Sequence, residues 1–168
     1  MKEHSFAYEL PVVSIRLVKE PGIRTDKVIS SSKEAVEVVK DLISDCDREL
    51  FCVLNLRTDG SVINLNVVSM GTLDCALVSP REVFKSSLLS NAANVILFHN
   101  HPSGCATPSK EDHVITRRLA DCGELLGIPV LDHIIACAGR EQSYSFAENG
   151  SLHKSGKPSK EKRVVRER

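Results

Sequence analysis

The chain reads as an α/β domain with a mixed, largely antiparallel sheet flanked by helices. Three observations predict this class. Short apolar runs alternate with segments of helical period, in the order β-α-β-β-α-β-α-β-β. Two of the runs, FCVLNL (51–56) and SVINLNVVSM (61–70), flank the turn sequence RTDG, a hairpin signal and so a signal of antiparallel pairing. A third run, NVILF at the start of NVILFHNH (94–101), is apolar without interruption, as in strands covered on both faces.

The elements follow in order. Residues 1–10 form a lead-in, and VVSIRLV (12–18) is β-rich until EPGIRTD breaks it. SSSKEAVEVVKDLISD (30–45) has helical spacing, with Ser31 or Ser32 as cap and Ala35, Val36, Val39, Leu42 and Ile43 as an apolar stripe. After the hairpin, SPREVFKSSLLSNA (79–92) carries Ser79 as cap, Pro80 at the first helical position and Glu82 at the third, a capping-box pattern. SKEDHVITRRLADCGELLG (109–127) is a strong helix ended by Gly127 and Pro129. IPVLDHIIACA (128–138) and SYSFAE (143–148) are the closing strands. The domain is thus expected over 11–152, with a tail over 153–168.

Composition narrows the function classes. Hydrophobic residues make up 42% and charged residues 26% of 168 positions, an ordinary soluble balance. No segment approaches the roughly 18 uninterrupted apolar residues of a membrane span. MKEHSFAYELP lacks an apolar run long enough for a signal peptide, so a cytoplasmic protein is expected. The cysteines at 46, 52, 75, 105, 122 and 137 form no CxxC pair, which argues against a zinc ribbon or a disulfide framework. The tail from His153 to Arg168 carries seven Lys/Arg against two Glu, hence +5 in a chain of net charge zero. Such a tail suits contact with nucleic acid or another anionic surface; the plainer reading is a solvated terminus.

The stretch FHNHPSGCATPSKED (98–112) carries the chemistry. Residues i and i+2 of an extended chain share a side, so His99 and His101 project together while Asn100 points away. Pro102 holds His101 extended. Two imidazoles placed in this way suit one ion, with zinc–nitrogen bonds of about 2.0–2.1 Å. Asp112 lies three residues past the cap Ser109. Its side chain leans back toward the helix N-terminus, whose partial positive charge keeps a carboxylate ionised. Three protein ligands would leave a fourth zinc position open, the catalytic rather than the structural arrangement. Two plainer readings stand beside this one. Ser109 and Asp112 also fit a capping box, and a His pair also occurs as a hydrogen-bonded loop feature.

His99-x-His101, seven residues, Ser109, two residues and Asp112 together resemble the full JAMM (JAB1/MPN/Mov34) metalloprotease signature. The flanks PREVF (80–84), NAANVILFHNHPSG (91–104), TPSKED (107–112), LLGIPVLDHII (125–135) and SYSFAENG (143–150) resemble its RadC-like bacterial branch. The resemblance covers roughly residues 10–152. It implies the JAMM/MPN α/β fold, similar to that of cytidine deaminases, and one Zn²⁺ per chain held by His99, His101 and Asp112. It implies hydrolysis of a peptide or isopeptide bond in a protein or peptide substrate, zinc acidifying its water toward pKa ~7. Ser109 matches the position that steadies the oxyanion.

The sequence departs from that pattern in three places. The family's general-base glutamate lies on the strand before a GTL-type turn, five residues ahead of the glycine. In this chain the turn is Gly71-Thr72-Leu73, which aligns that position with Asn66. An asparagine can hold a water but accepts no proton at neutral pH. Glu82 is the substitute base to weigh, against an ordinary place in the first turn of its helix. Cys105 stands where the family more often has a polar residue; its thiolate is a candidate for the open zinc position, and a loop cysteine is the alternative. Full-length members also carry an N-terminal helix-hairpin-helix region associated with DNA, which the first residues do not resemble. Short domains of this kind resemble those of mobile elements. The second reading is therefore a non-catalytic metal-binding module with a DNA-repair- or mobile-element-associated binding role. His113 is expected at the surface or behind the ligands. Of Asp132 and His133, one is a candidate to support a ligand histidine, with a structural role as the alternative.

Overall fold

The computed structural model describes residues 14, 16–18, 28–44, 46, 48–71, 78–102, 104–137 and 142–152. The lead-in, the basic tail, Thr72, Leu73, Cys75 and Ser103 lie outside them, as do residues 12, 13 and 15 of the β-rich run 12–18, whose residues 14 and 16–18 form no strand.

Helix α1 (Ser32–Ser44) is followed by strands β1 (Leu50–Leu56) and β2 (Val62–Met70), helix α2 (Pro80–Leu89), strand β3 (Asn94–His101), helix α3 (Lys110–Leu126), and strands β4 (Val130–Cys137) and β5 (Ser143–Ser145). The sheet runs β2-β1-β3-β4-β5. Only β3 and β4 pair in parallel; β1 pairs antiparallel with both β2 and β3, and β4 with β5. The expected mixed, largely antiparallel sheet flanked by helices is what forms.

The hairpin between β1 and β2 turns on Gly60, whose φ of 82° is open to glycine at little steric cost. Asp59 ties the turn by accepting bonds from the Ser61 amide and hydroxyl at 2.9 and 2.7 Å. β1 is buried along its whole length, because both of its faces are covered. On one face, Cys52, Leu54 and Leu56 join Ile96, Phe98, Ile134 and Ala136 beneath Ala35, Val38 and Val39 of α1. On the other, Phe51, Val53, Val95 and Leu97 meet Val83 and Phe84 of α2 and Leu119 of α3.

Helices α2 and α3 begin differently despite similar sequences at their starts. Ser109 caps α3 through a complete capping box with Asp112. Ser79 stands at the N-cap of α2 in extended conformation, but its side chain makes no cap bond. The capping box expected there does not form, and Glu82 pairs instead with Lys85 one turn on. Gly127 closes α3 in the left-handed conformation at φ 69° and its amide reaches the Glu124 carbonyl.

The last strand is shorter than the run 143–148 suggests. The chain leaves β5 after Ser145 and turns through residues 146–150. Asp132 causes this. Its buried carboxylate accepts bonds from the Ser145 hydroxyl at 2.5 Å, the Ala147 amide at 2.9 Å and the His133 amide at 2.7 Å, which folds the segment back over β4. Burial raises the Asp132 carboxyl above its ordinary value, and these bonds oppose the rise. The same fold brings Phe146, fully buried, onto the His133 ring.

Candidate metal centre

The site forms where β3 ends and α3 begins. β3 carries His99 and His101 off the buried sheet, with His99 only 6% exposed. Asn100 points elsewhere: its side chain accepts from the Leu50 amide at 2.7 Å and donates to the Arg48 carbonyl at 3.0 Å, fixing the β3 end to the start of β1. The α3 N-terminus then brings Asp112 against both imidazoles. His99 Nε2 lies 2.9 Å from His101 Nε2 and 3.2 Å from Asp112 Oδ1, and His101 Nε2 lies 3.6 Å from Asp112 Oδ2.

The capping box and the ligand set turn out to be compatible. A carboxylate has two oxygens, each able to accept more than one bond. Asp112 Oδ2 takes the Ser109 amide and hydroxyl, each at 2.7 Å, while Oδ1 faces His99. Ser109 Oγ also accepts from the Asp112 amide at 3.1 Å. The single hydroxyl proton of Ser109 is thus engaged by Asp112, so in this arrangement Ser109 orients the carboxylate.

Electrostatics follow from the contacts. Burial alone would raise the Asp112 carboxyl, but the close contacts of His101 and His99 and the bonds from Ser109 outweigh it and hold the group well below the usual carboxylate range. The same carboxylate raises His101, burial opposing and the Cys105 carbonyl adding. His101 Nδ1 lies 2.7 Å from that carbonyl, which can only accept, so Nδ1 carries the proton and Nε2 of the neutral ring is an electron-pair donor.

Among the described residues, His99, His101 and Asp112 are the group of side chains placed to share an ion. A tetrahedral ion with bonds of about 2.0–2.1 Å sets its donors roughly 3.3 Å apart. The imidazole pair at 2.9 Å, Oδ1 at 3.2 Å from His99 and Oδ2 at 3.6 Å from His101 lie close to that value. The donor set, two imidazole nitrogens and a carboxylate oxygen, is one that zinc accepts.

The other candidates fall elsewhere. Asn66 pairs with Val53, which pairs with Leu97, whereas His99 pairs with Phe51 and Phe51 with Ser69. Strand spacings of about 4.8 Å and rises of about 3.4 Å put the Asn66 and His99 Cα atoms on the order of 12 Å apart. Asn66 and Glu82 instead line one shallow cleft of about 200 Å³ with Val68, Lys85, Ser86 and Leu89, away from the three ligands. Cys105 is exposed, and the atom it sends to the site is its backbone carbonyl. His113 is exposed and packs edge-on to Phe146 at 5.1 Å.

His133 lies directly behind the ligands. Its Nε2 is 2.9 Å from His99 Nδ1 and its Nδ1 is 2.5 Å from Thr116 Oγ1, whose hydroxyl also lies 2.6 Å from the Asp112 carbonyl. It is fully buried, stacked on Phe146 at 5.0 Å and tilted to Phe51 at 5.4 Å. That burial, with His99 beside it, pushes its ring well below the ordinary histidine value and keeps it neutral. Sequence reasoning weighed His133 without choosing it from the pair, and missed Thr116. The signal for Thr116 was its place four residues after Asp112, on the same helix face.

A mixed α/β domain with a His-His-Asp group at a strand–helix junction defines the class. The chain belongs to the RadC-like JAB domain family, whose pattern matches residues 29–151. It is 45% identical over 138 residues to a UPF0758 protein of Rubrobacter xylanophilus, covering 82% of this chain and 58% of that one. It is 44% identical over 125 residues to a UPF0758 protein of Desulfitobacterium hafniense (74% and 54%), and 43% identical over 123 residues to one of Methanosarcina mazei (73% and 52%). The chain thus spans a little over half the length of these curated relatives, whose names state no activity. No helix among the described residues is long and apolar enough to cross a membrane.

Proposed function

We propose that this domain binds one zinc ion through His99, His101 and Asp112 and serves as a JAMM-type hydrolase of peptide or isopeptide bonds. The observation that supports it is the convergence of two imidazole nitrogens 2.9 Å apart on one carboxylate, with Asp112 Oδ1 3.2 Å from His99 and Oδ2 3.6 Å from His101, spacings that suit a tetrahedral ion with a further position for water. When bound, zinc supplies polarisation of a carbonyl oxygen and acidification of a water toward pKa ~7. The chain's own residues do the rest. The Cys105 carbonyl keeps His101 in the tautomer that donates through Nε2, and Ser109 holds the Asp112 carboxylate in place. For Ser109 to steady an oxyanion its hydroxyl must turn away from Asp112, which the Ser109 amide continues to hold.

A second reading has its own support. β2 contains no acid, and Asn66 cannot take a proton from water. On that reading the domain is a metal-binding module that recognises a protein tail or, through the basic terminus, nucleic acid. Zinc-loaded protein assayed on generic peptide and isopeptide substrates separates the two. Zinc-dependent turnover by the wild type that is lost in Asp112→Ala establishes the hydrolase. Turnover that emerges only in Asn66→Glu establishes the module. Removal of residues 153–168 tests the tail, by asking whether salt-dependent DNA binding disappears with it.

A further inference from the structure

Four groups form a hydrogen-bonded chain behind the ligands: the Asp112 carbonyl, the Thr116 hydroxyl, the His133 ring and the His99 ring. Its direction follows from one end. The Asp112 carbonyl can only accept, so the Thr116 hydroxyl, 2.6 Å away, donates its single proton there. Thr116 Oγ1 then has only electron pairs left for His133 Nδ1 at 2.5 Å, so that nitrogen carries a proton. His133 is fully buried and, among the described residues, hydrogen-bonds through its ring to Thr116 and His99 and to no carboxylate, so its ring is neutral and Nε2 is an acceptor. His99 Nδ1, 2.9 Å from it, must therefore be the donor. His99 Nε2 is left as an electron pair, and it faces His101 and Asp112.

We infer that Thr116 and His133 are positioning residues that lock His99 in the tautomer a cation needs. The inference rests on the assignment of the ion to His99, His101 and Asp112, and it adds where that preference originates. The chain begins at the backbone of Asp112 and ends at the ring of His99, so one ligand sets the proton of another through two residues that touch no ion. The Cys105 carbonyl does the same for His101 from the opposite side. Both Nε2 atoms thus present electron pairs to each other at 2.9 Å, an arrangement that calls for a cation between them. If Thr116 cannot accept, His133 is free to move its proton to Nε2. His99 must then accept at Nδ1 and carry its proton on Nε2, which blocks the ligand position.

The test has two readouts. In ¹⁵N-histidine-labelled metal-free protein at mildly alkaline pH, two-bond ¹H–¹⁵N correlations should show His99 and His133 both protonated at Nδ1. In Thr116→Val, which keeps the volume and removes the acceptor, the His133 proton should move to Nε2 or average between the two nitrogens. Zinc affinity measured against a competing chelator should fall about 10–100-fold in Thr116→Val and in His133→Phe, the range typical of lost outer-shell partners. Thr116→Ser, which retains the hydroxyl, should restore it. A purely structural role would lower thermal stability without moving the tautomers or distinguishing Ser from Val. Should His133→Phe fail to fold, Thr116→Val and Thr116→Ser decide. The inference is overturned if wild-type His99 carries its proton on Nε2, or if Thr116→Val binds zinc as tightly as the wild type. A wild type that takes up no zinc removes the metal assignment instead, while the tautomer pattern of the metal-free protein still decides the chain.

Discussion

The β3–α3 junction and strand β2 contribute to the same side of one sheet and are built to opposite standards. At the junction, each polar atom of the ligand set meets a partner, and imidazoles, carboxylate, hydroxyl and carbonyl are arranged around one point. On β2, at the sheet edge, the position that the family resemblance gives to a base carries an amide and opens into a different cleft. Gathering three candidate ligands and placing a base beside them are therefore separable in this fold. The first is assembled from residues close in sequence. The second has to arrive from a strand two places away across the sheet.

The largest effect should come from the junction. Asp112→Ala or His99→Ala removes one of three donors, and zinc should fall from about one per chain to near zero by metal analysis after dialysis, with the fold retained. Zinc that stays stoichiometric in both variants would place the ion elsewhere and end the comparison. The next effect belongs to β2. Asn66→Glu restores an acid, and general acid–base help is worth about 10²–10⁴-fold. Hydrolysis by zinc-loaded Asn66→Glu should exceed the wild type by that order. If it does not, the register is the reason, since Asn66 sits in the Val53–Leu97 row rather than the Phe51–His99 row.

Much of the junction was legible because its determinants are local. The i, i+2 relation of His99 and His101 needs only an extended chain, and the lean of Asp112 toward the helix start needs only a helix. The hairpin and the end of α3 were legible for the same reason. What lay beyond the sequence depended on pairing between distant segments. His133 reaches His99 because β3 and β4 run in parallel, with His99 in register with Ile135 and Leu97 with His133. No periodicity in either strand states that register. The early end of β5 likewise depends on a buried acid thirteen residues upstream of its serine partner. The position of Asn66 relative to the ligands required two successive strand pairings, one of them bulged.

A smaller effect sharpens the view of the junction through pH. His101 is raised above its ordinary value of about 6.5 by the Asp112 carboxylate, so protons compete with the ion to a higher pH than at a free imidazole. Zinc affinity should therefore climb as pH rises through neutrality and level off only above the raised value. Asp112 adds no slope there, because it is held ionised. In the metal-free protein the sign reverses. The charged His101–Asp112 contact stabilises the fold fully below the unfolded value of His101 and is lost as pH rises through the folded one. Chelator competition and thermal unfolding of metal-free protein across that range should thus move in opposite directions. Parallel movement would mean that Asp112 is not the partner that raises His101.

The smallest expected effect compares the two helix starts. Ser79 and Ser109 open helices with the same pattern, a serine followed three residues later by an acid. Of the two, Ser109 makes the reciprocal bonds, whereas the Ser79 side chain makes no cap bond and Glu82 pairs with Lys85. Ser109→Ala should cost about 0.5–2 kcal/mol in denaturant unfolding, the usual value of a lost N-cap. Ser79→Ala should stay within about 0.5 kcal/mol of the wild type, as expected where no specific bond is lost. Ser109→Ala should also weaken zinc binding, since it frees Asp112 Oδ2 from one of its two cap bonds, and Ser79→Ala should leave it unchanged. Equal costs at the two sites would show that the cap of α3 owes its strength to the helix backbone and that Asp112 is held at the metal centre without Ser109.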